Sequence, residues 1–177
     1  RRVLFELAIA GLQSRVELAR ANNQSAFDLA MQTADRLRKL DVGAAESGGV
    51  IRDAAAVRAN ILRNVLTTAS MAAIRTGRYG EAEAATRERH GLPPNPFSEL
   101  DPQDEKSRAQ VTLAHAIVLQ GRFAEAREIT ETEVARYRDE LQGGASRLSF
   151  TKAFAYALYV DALARAAGDS RCAANLA

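Results

Sequence analysis

Apolar residues recur every three or four positions along most of the chain, which is the spacing of one face of an α-helix. The longest such stripe consists of Val57, Ile61, Val65, Ala69 and Ala73. No segment alternates convincingly between apolar and polar residues, as a half-buried strand would. The pattern therefore predicts helices over residues 2–20, 24–40, 52–76, 80–90, 103–120, 123–141 and 147–167, and a short one near 170–177.

Two short segments between predicted helices share the same order of residue types. Each has a glycine, an aromatic residue two positions later and an alanine three positions after that: Gly77, Tyr79 and Ala82, and then Gly121, Phe123 and Ala126. Glycine ends a helix because it accepts the left-handed conformation just past the last turn. We expect the aromatic residue to begin the next helix and to wedge between the two helices. We expect the alanine to be buried where the helices cross. A weaker copy occupies residues 25–30.

The breaks between helices also carry residues that suit them. The proline-rich stretch 91–96 predicts a connector that is not helical, and Asp101-Pro102 predicts a helix start. Gly-Gly pairs at 48–49 and 143–144 mark the other breaks. We therefore predict a single helical domain over residues 1–177, built from hairpins at about 2–40, 52–90, 103–141 and 147–177.

The residues around these turns resemble the tetratricopeptide repeat. That unit carries a large residue, a Leu-Gly pair and Tyr on its first helix, and Ala, an aromatic residue and Pro on its second. The third hairpin supplies Gln110, Leu113-Ala114, Ile117, Ala126 and Thr130, the second supplies Leu66, Ala69-Ser70, Ala73, Ala82, Thr86 and Pro94, and the last helix supplies Ala157, Val160-Asp161, Ala164 and Gly168.

The spacing of the repeats is longer than in that family. Gly77, Gly121 and Gly168 are 44 and 47 residues apart, against a family period of about 34 residues. Longer loops and helices hold the extra residues. The resemblance implies an all-α, right-handed stack of antiparallel helical hairpins, an α-solenoid of about seven or eight helices.

In that family the first helix of each hairpin lines a concave groove that holds part of another protein. The resemblance therefore implies a partner-binding groove lined by Asn64, Thr67, Thr68, Met71, Arg75, Arg108, Thr112, His115, Tyr159 and Arg165. These positions lack the paired Lys and Asn with which the best-known grooves clamp a C-terminal carboxylate, so no such clamp is expected. The three arginines would favour an acidic segment, because guanidinium groups pair well with carboxylates.

Composition narrows the partners further. Hydrophobic residues make up 47% of the chain, and its 36 alanines favour helices that pack closely. Of the 24 basic residues 21 are Arg, which together with the alanine content is typical of a bacterial chain from a GC-rich genome. The net charge is only +2, with no basic stripe, so no nucleic acid is expected as a partner. No apolar run approaches the roughly 20 residues that membrane insertion needs.

Few residues suggest chemistry. His115 is either a hydrogen-bond donor in the groove or, more commonly for such a position, a partly buried structural residue. His90 suits a helix end, where a cation complements the dipole, and Cys172 has no second cysteine to pair with. Four glutamates fit a solvated helix face with weak ion pairs better than a catalytic set: Glu125, Glu128, Glu131 and Glu133. No phosphate-binding loop, nucleophile elbow or metalloprotease helix occurs, so we predict no catalytic, cofactor-binding or metal-binding residue.

These observations favour a non-enzymatic protein-interaction module that binds a peptide or protein segment in the groove. The alternative is a regulatory or sensor domain of a larger bacterial kinase or transcriptional regulator. An enzyme would need convergent titratable groups, and none stand out. A homo-oligomer is compatible with the sequence, and a cytoplasmic location is expected. The chain begins at Arg1 with a helical pattern already under way, so we expect it to be a fragment of a longer protein.

Overall fold

The computed structural model describes residues 2–42, 53–98, 102–142 and 150–166. These residues form seven α-helices and no β-strand, so the all-helical fold class is confirmed. Where both ends can be compared, the observed and predicted helix ends differ by at most two residues. The short helix predicted near 170–177 lies outside the described residues. The helices are α1 (Arg2–Ala19), α2 (Asn23–Arg38), α3 (Ala54–Arg75), α4 (Tyr79–His90), α5 (Pro102–Leu119), α6 (Phe123–Gln142) and α7 (Phe150–Ala166).

The chain divides into two compact units, the first ending at Pro102 and the second beginning at Gln103. In the first unit consecutive helices pack on each other, and α1 also packs against α3. Its largest fully buried side chains include Leu7, Leu37 and Leu66. These three leucines come from α1, α2 and α3, so the core is shared by helices that are distant in sequence.

A glycine brings α1 and α3 close together in the first unit. Gly11 is buried in the middle of α1. A Cβ atom built on Gly11 would lie 2.9 Å from Cγ1 of Val65 on α3 and 4.0 Å from Cγ2 of Ile61. Any larger residue at position 11 would therefore push the two helices apart or force Val65 into another rotamer.

The second unit has its own apolar core. Residues of α5, α6 and α7 contribute to one cluster, against which Phe123, Ile129 and Phe154 pack. The cluster consists of Val111, Leu113, Ala114, Ile117, Val118, Ala126, Ala155, Leu158 and Ala162. Four of its nine members are alanines: Ala114 on α5, Ala126 on α6, and Ala155 and Ala162 on α7. Small side chains therefore make up much of the contact between these helices.

The three turns that join α1 to α2, α3 to α4 and α5 to α6 have the same backbone geometry. Gly77 and Gly121 have φ of 75° and 76°, as predicted for a residue just past a helix end. Beside Gly77, the N–H of Arg78 donates to the carbonyl of Ala73 over 2.8 Å. The equivalent bond from Arg122 to Ile117 measures 3.2 Å.

The first of these turns lacks glycine. Ala21 has a φ of 62°, and the N–H of Asn22 donates to the carbonyl of Glu17 over 2.9 Å, as in the other two turns. The repeat that the sequence showed twice is therefore present three times. Ala26, five residues after Ala21, is fully buried, as are Ala82 and Ala126 after the glycines. The prediction that Ala82 and Ala126 are buried is confirmed.

Buried hydroxyl groups are satisfied within their own helices. Thr86 donates to the carbonyl of Ala82 and Thr130 to that of Ala126, both over 2.8 Å. Thr33 donates in the same way to Leu29 over 2.7 Å. Because each hydroxyl bonds its own backbone, these threonines cost little to bury.

The proline-rich connector after α4 is tied to α3. The amide of Asn95 donates to Oδ1 of Asn60 over 3.0 Å, and the guanidinium of Arg63, itself buried, donates to the carbonyl of Pro93. Residues 91–98 are not helical, as predicted. These bonds fix the connector against the helix that begins the second hairpin.

One expectation about α6 is wrong. Glu133 was placed on a solvated face with Glu125, Glu128 and Glu131, but its residue exposure is only 2%. Arg136 lies 3.3 Å from its carboxylate and also donates to the hydroxyl of Ser107 on α5. A charge that is paired and hydrogen-bonded can be buried. Helical spacing places Arg136 beside Glu133, but it does not reveal that α5 packs over the pair and supplies Ser107.

The left-handed turns predict opposite changes in stability for substitutions at two equivalent positions, Gly77 and Ala21. Gly77→Ala should lower the free energy of unfolding by about 1 kcal/mol, because an alanine is strained at positive φ. Ala21→Gly should raise it by about 0.5–1 kcal/mol, since relief of the same strain exceeds the entropy gained by the unfolded chain. Gly80→Ala is the control: Gly80 lies inside α4 with open space at its Cβ position, so this change should be stabilising. Urea unfolding of the three variants measures each sign.

The buried alanine of α6 gives a second prediction. Ala126→Leu should overpack the core of the second unit and lower the free energy of unfolding by about 1–3 kcal/mol. Ala124→Leu is the matched control, because Ala124 is exposed on the same turn of α6. Thermal unfolding followed by circular dichroism measures both, and equal melting temperatures would show that Ala126 does not limit helix packing.

Candidate functional site

The structure places seven of the ten groove candidates in two clefts, one in each unit. Five of them line the first cleft, which lies between α1 and α3 and has a volume of about 340 Å³: Asn64, Thr67, Thr68, Met71 and Arg75. His115 and Arg165 line the second cleft, in the second unit, with a volume of about 390 Å³. Because the two clefts belong to different units, each is a separate candidate site.

The wall of the first cleft opposite α3 comes from the last turns of α1. Arg15, Leu18 and Ala19 complete the lining. Helical spacing brings Arg15 and Ala19 to one side of α1, four residues apart, while Leu18 points into the core. On α3 the spacing from Asn64 to Met71, two turns, aligns the facing wall in the same way.

A hydrogen bond fixes one end of the first cleft. Nη1 of Arg75 donates to the backbone carbonyl of Leu18 over 3.1 Å. Leu18 is in the last turn of α1, and its carbonyl also accepts a bond from the N–H of Ala21 over 3.1 Å. Arg75 therefore orients its guanidinium across the cleft and leaves further N–H groups for another acceptor.

The polar groups of the first cleft are basic or neutral. Its rim carries the exposed side chains of Arg15, Asn64 and Arg75, and its lining includes no carboxylate. The hydroxyl of Thr67 is already used, because it donates to the carbonyl of Arg63 over 2.8 Å. Thr68 is buried, with its hydroxyl 3.2 Å from the carbonyl of Asn64, so it shapes the wall and offers no free donor.

Aromatic rings dominate the second cleft. The ring of His115 meets that of Phe154 edge to face, with centroids 5.2 Å apart. The guanidinium of Arg165 lies 5.6 Å from the centroid of Phe123, and its Nε donates to Asp161 over 2.8 Å. The cation of this cleft is thus paired with a carboxylate, unlike those of the first cleft.

Burial lowers the pKa of His115 below its ordinary value of 6.5, because the imidazolium would lose its hydration among apolar neighbours. The imidazole is therefore neutral at pH 7. His115 is half-buried, lines the second cleft and packs against Phe154. This position is compatible with a structural residue and with a hydrogen-bond donor in a groove, and the donor role stays a prediction.

The remaining groove candidates lie outside both cleft linings. Arg108 is exposed on α5, and its carbonyl accepts a bond from the hydroxyl of Thr112 over 2.9 Å. Tyr159 is half-buried on α7. His90, singled out as a helix-end cation, is the exposed last residue of α4, while Cys172 lies outside the described residues.

Within residues 2–42, 53–98, 102–142 and 150–166 no three His, Cys, Asp or Glu side chains come together as a metal site would require. None of the helices in these ranges is long and apolar enough to cross a membrane.

Comparison with protein-family models, curated proteins and solved structures finds no match for this chain.

Sequence reasoning missed the contribution of α1 to the first cleft. The predicted groove residues come from the second, third and last hairpins. The rule that the first helix of each hairpin lines the groove applies equally to α1, the first helix of the first hairpin. Applied there, helical spacing would have indicated Arg15 and Ala19. In the second cleft, Phe123 was expected only as a wedge beside a turn, and Phe154 was not singled out at all.

The lowered pKa of His115 predicts how stability depends on pH. Below about pH 6.5 the unfolded chain binds a proton at His115 that the folded chain does not, so the stability contributed by the neutral imidazole is lost as pH falls. His115→Gln should therefore reduce the loss of unfolding free energy between pH 7.5 and pH 5.5. Urea unfolding of both proteins at the two pH values measures this. Identical losses of unfolding free energy in the two proteins would show that burial does not hold His115 in its neutral form.

Proposed function

We propose that this chain is a protein-interaction module of the tetratricopeptide type, and that its first cleft binds an acidic segment of another protein. The observation that carries the proposal is the makeup of that cleft. Two exposed arginines and an asparagine surround an apolar wall, and among the described residues no carboxylate lines the cleft beside them.

The chemistry of the first cleft favours an acidic ligand that also carries an apolar side chain. Arg15 and Arg75 supply guanidinium groups that can form paired hydrogen bonds to a carboxylate. Leu18 and Met71 supply apolar surface beside them. The unbranched thioether of Met71 adapts to side chains of different shape. Such a site recognises a short motif, an Asp or Glu next to an aliphatic residue, more readily than a whole folded surface.

The fold supports the same proposal. Three turns of identical geometry are each followed by a fully buried alanine at the same distance, at Ala26, Ala82 and Ala126. Such recurrence is typical of helical-hairpin repeats. We propose that the hairpins are antiparallel and stack in the right-handed manner of the tetratricopeptide family, in which the first helices of successive hairpins line the binding surface. Helices α1 and α3, which form the first cleft, are first helices in this sense.

Selection from a displayed library of short random peptides tests the ligand class. We expect peptides bound by the wild-type protein to be enriched in Asp or Glu beside Leu, Ile, Val or Met. For a synthetic peptide with the recovered consensus, Arg15→Glu and Arg75→Glu should each weaken binding at least about tenfold, because each replaces a charge-assisted hydrogen bond by repulsion. Fluorescence anisotropy measures the affinities.

Arg36→Glu is the matched control for these variants. Arg36 is exposed near the end of α2 and is absent from the cleft lining, and its change alters the net charge equally. It should retain the wild-type affinity at moderate salt, where distant charges are screened. Peptides without acidic enrichment, or equal affinities for all three variants, would refute the assignment of the first cleft.

A further inference from the structure

An apolar stripe on α1 lies in solvent. Phe5, Ile9, Leu12 and Val16 are 69%, 40%, 58% and 47% exposed. The core side of the same helix carries other residues, including Leu7 and the glycine at position 11. Helix α1 is thus apolar on two opposite faces, of which only one is used within the chain. Contiguous exposed apolar surface of this kind marks an interaction site.

The stripe has the spacing of a helix-to-helix seam. Its members follow each other at intervals of four, three and four residues, the alternation that keeps one line of side chains facing a partner helix. At 100° per residue, Ile9 lies about 160° around α1 from Leu7. A helix seated on the stripe would therefore lie away from the buried side of α1 that carries Leu7 and Gly11.

The stripe is complementary to itself when reversed. With two copies of α1 antiparallel and centred between Ile9 and Leu12, Phe5 of each copy faces Val16 of the other, and Ile9 faces Leu12. The two central layers pair Ile9 with Leu12, which are of similar size, and the outer layers pair the large Phe5 with the smaller Val16. Arg2, which continues the seam at one end, faces Ala19 of the second copy, where a small residue leaves room for it.

Charges favour the antiparallel over the parallel arrangement. In a parallel pair Arg2 would lie against Arg2 of the second copy within the seam, and Arg15 would lie near Arg20 across its edge. In the antiparallel pair Glu6 borders Gln13 of the second copy twice, once on each side of the two-fold axis, and Arg15 lies over an alanine, Ala8. Like charges thus oppose the first arrangement and not the second.

We infer that α1 is a self-association surface, through which two copies of this chain pair as an antiparallel two-helix seam around a two-fold axis. Such an isologous contact uses the same patch on both copies and closes without leaving the patch free. One helix pair buries less than about 1,200 Å², so the dimer is weak and depends on concentration. The inference rests on the apolar stripe. Ala19 in the seam and Arg15 beside it also line the first cleft, so a second copy seated on the stripe would cover part of that cleft.

Sedimentation equilibrium of the wild-type chain tests the pairing. The weight-average mass should rise from 19.1 kDa towards twice that value as the concentration increases. Leu12→Glu should remain at 19.1 kDa, since it places a charge in the middle of the seam. Val3→Glu, on the same helix but off the stripe and 42% exposed, should associate as the wild type does. Circular dichroism confirms that both variants are folded.

Cross-linking distinguishes the two orientations. In a Cys172→Ser background, a short bismaleimide should join Arg2→Cys to Ala19→Cys when the two variants are mixed, and should leave each alone unlinked. In the antiparallel seam the two copies of position 2 are about 25 Å apart. Self-linking of Arg2→Cys would show a parallel pair, and a wild-type chain that stays monomeric at about 1 mM would show that the stripe is covered by something other than a second copy. Either result overturns the inference.

Discussion

The close approach of helices through small side chains is the constraint on which both units depend. At Gly11 the backbone of α1 lies so near Val65 that a single added carbon would be in contact at 2.9 Å. Ala26, Ala82 and Ala126 have no measurable exposure, and each is the fourth residue of the helix that follows a left-handed turn. A chain without tryptophan has few large side chains to fill gaps, so it reaches interior packing density by bringing backbones together.

The first cleft follows from the same contact. One turn beyond Gly11, α1 presents Arg15, and the opposite wall of α3 presents Asn64 and Met71. These longer side chains cannot interdigitate at the spacing that glycine sets, so they stand at the rim of a cleft whose floor is apolar. Arg75 then closes one end by donating to a single carbonyl in the last turn of α1, that of Leu18. A packing requirement at one residue thereby creates a cleft one helical turn away.

The fold was predictable from the sequence because periodicity and turn residues agreed. Gly77 and Gly121 mark turns with positive φ, and the helices between them begin and end close to the predicted positions. The break between the first two helices was also predicted, but its left-handed residue was not, because Ala21 carries no sequence signal for a positive φ. Glu133 was misjudged because its burial depends on Arg136 and on a serine from another helix.

The candidate site was less predictable, since it depends on which helices become neighbours. Five residues of α3 were anticipated through a family resemblance, and the structure brings them to one cleft. Arg15 and Arg75 are 60 residues apart in the chain. They could not be assigned to the same cleft until α1 was known to pack beside α3. Aromatic residues of the second cleft, such as Phe154, were indistinguishable from core residues by spacing alone.

The threonines that bond their own helices have a mechanical consequence. The hydroxyls of Thr33, Thr86 and Thr130 are satisfied whatever the neighbouring helix does. A sliding of one helix along the next by a fraction of a turn leaves these threonine bonds intact, so they do not oppose shear. What fixes α1 against α3 lengthwise is instead side-chain packing at Gly11 and the bond from Arg75 to the carbonyl of Leu18. A ligand in the first cleft would therefore meet walls held in register at one end by Arg75.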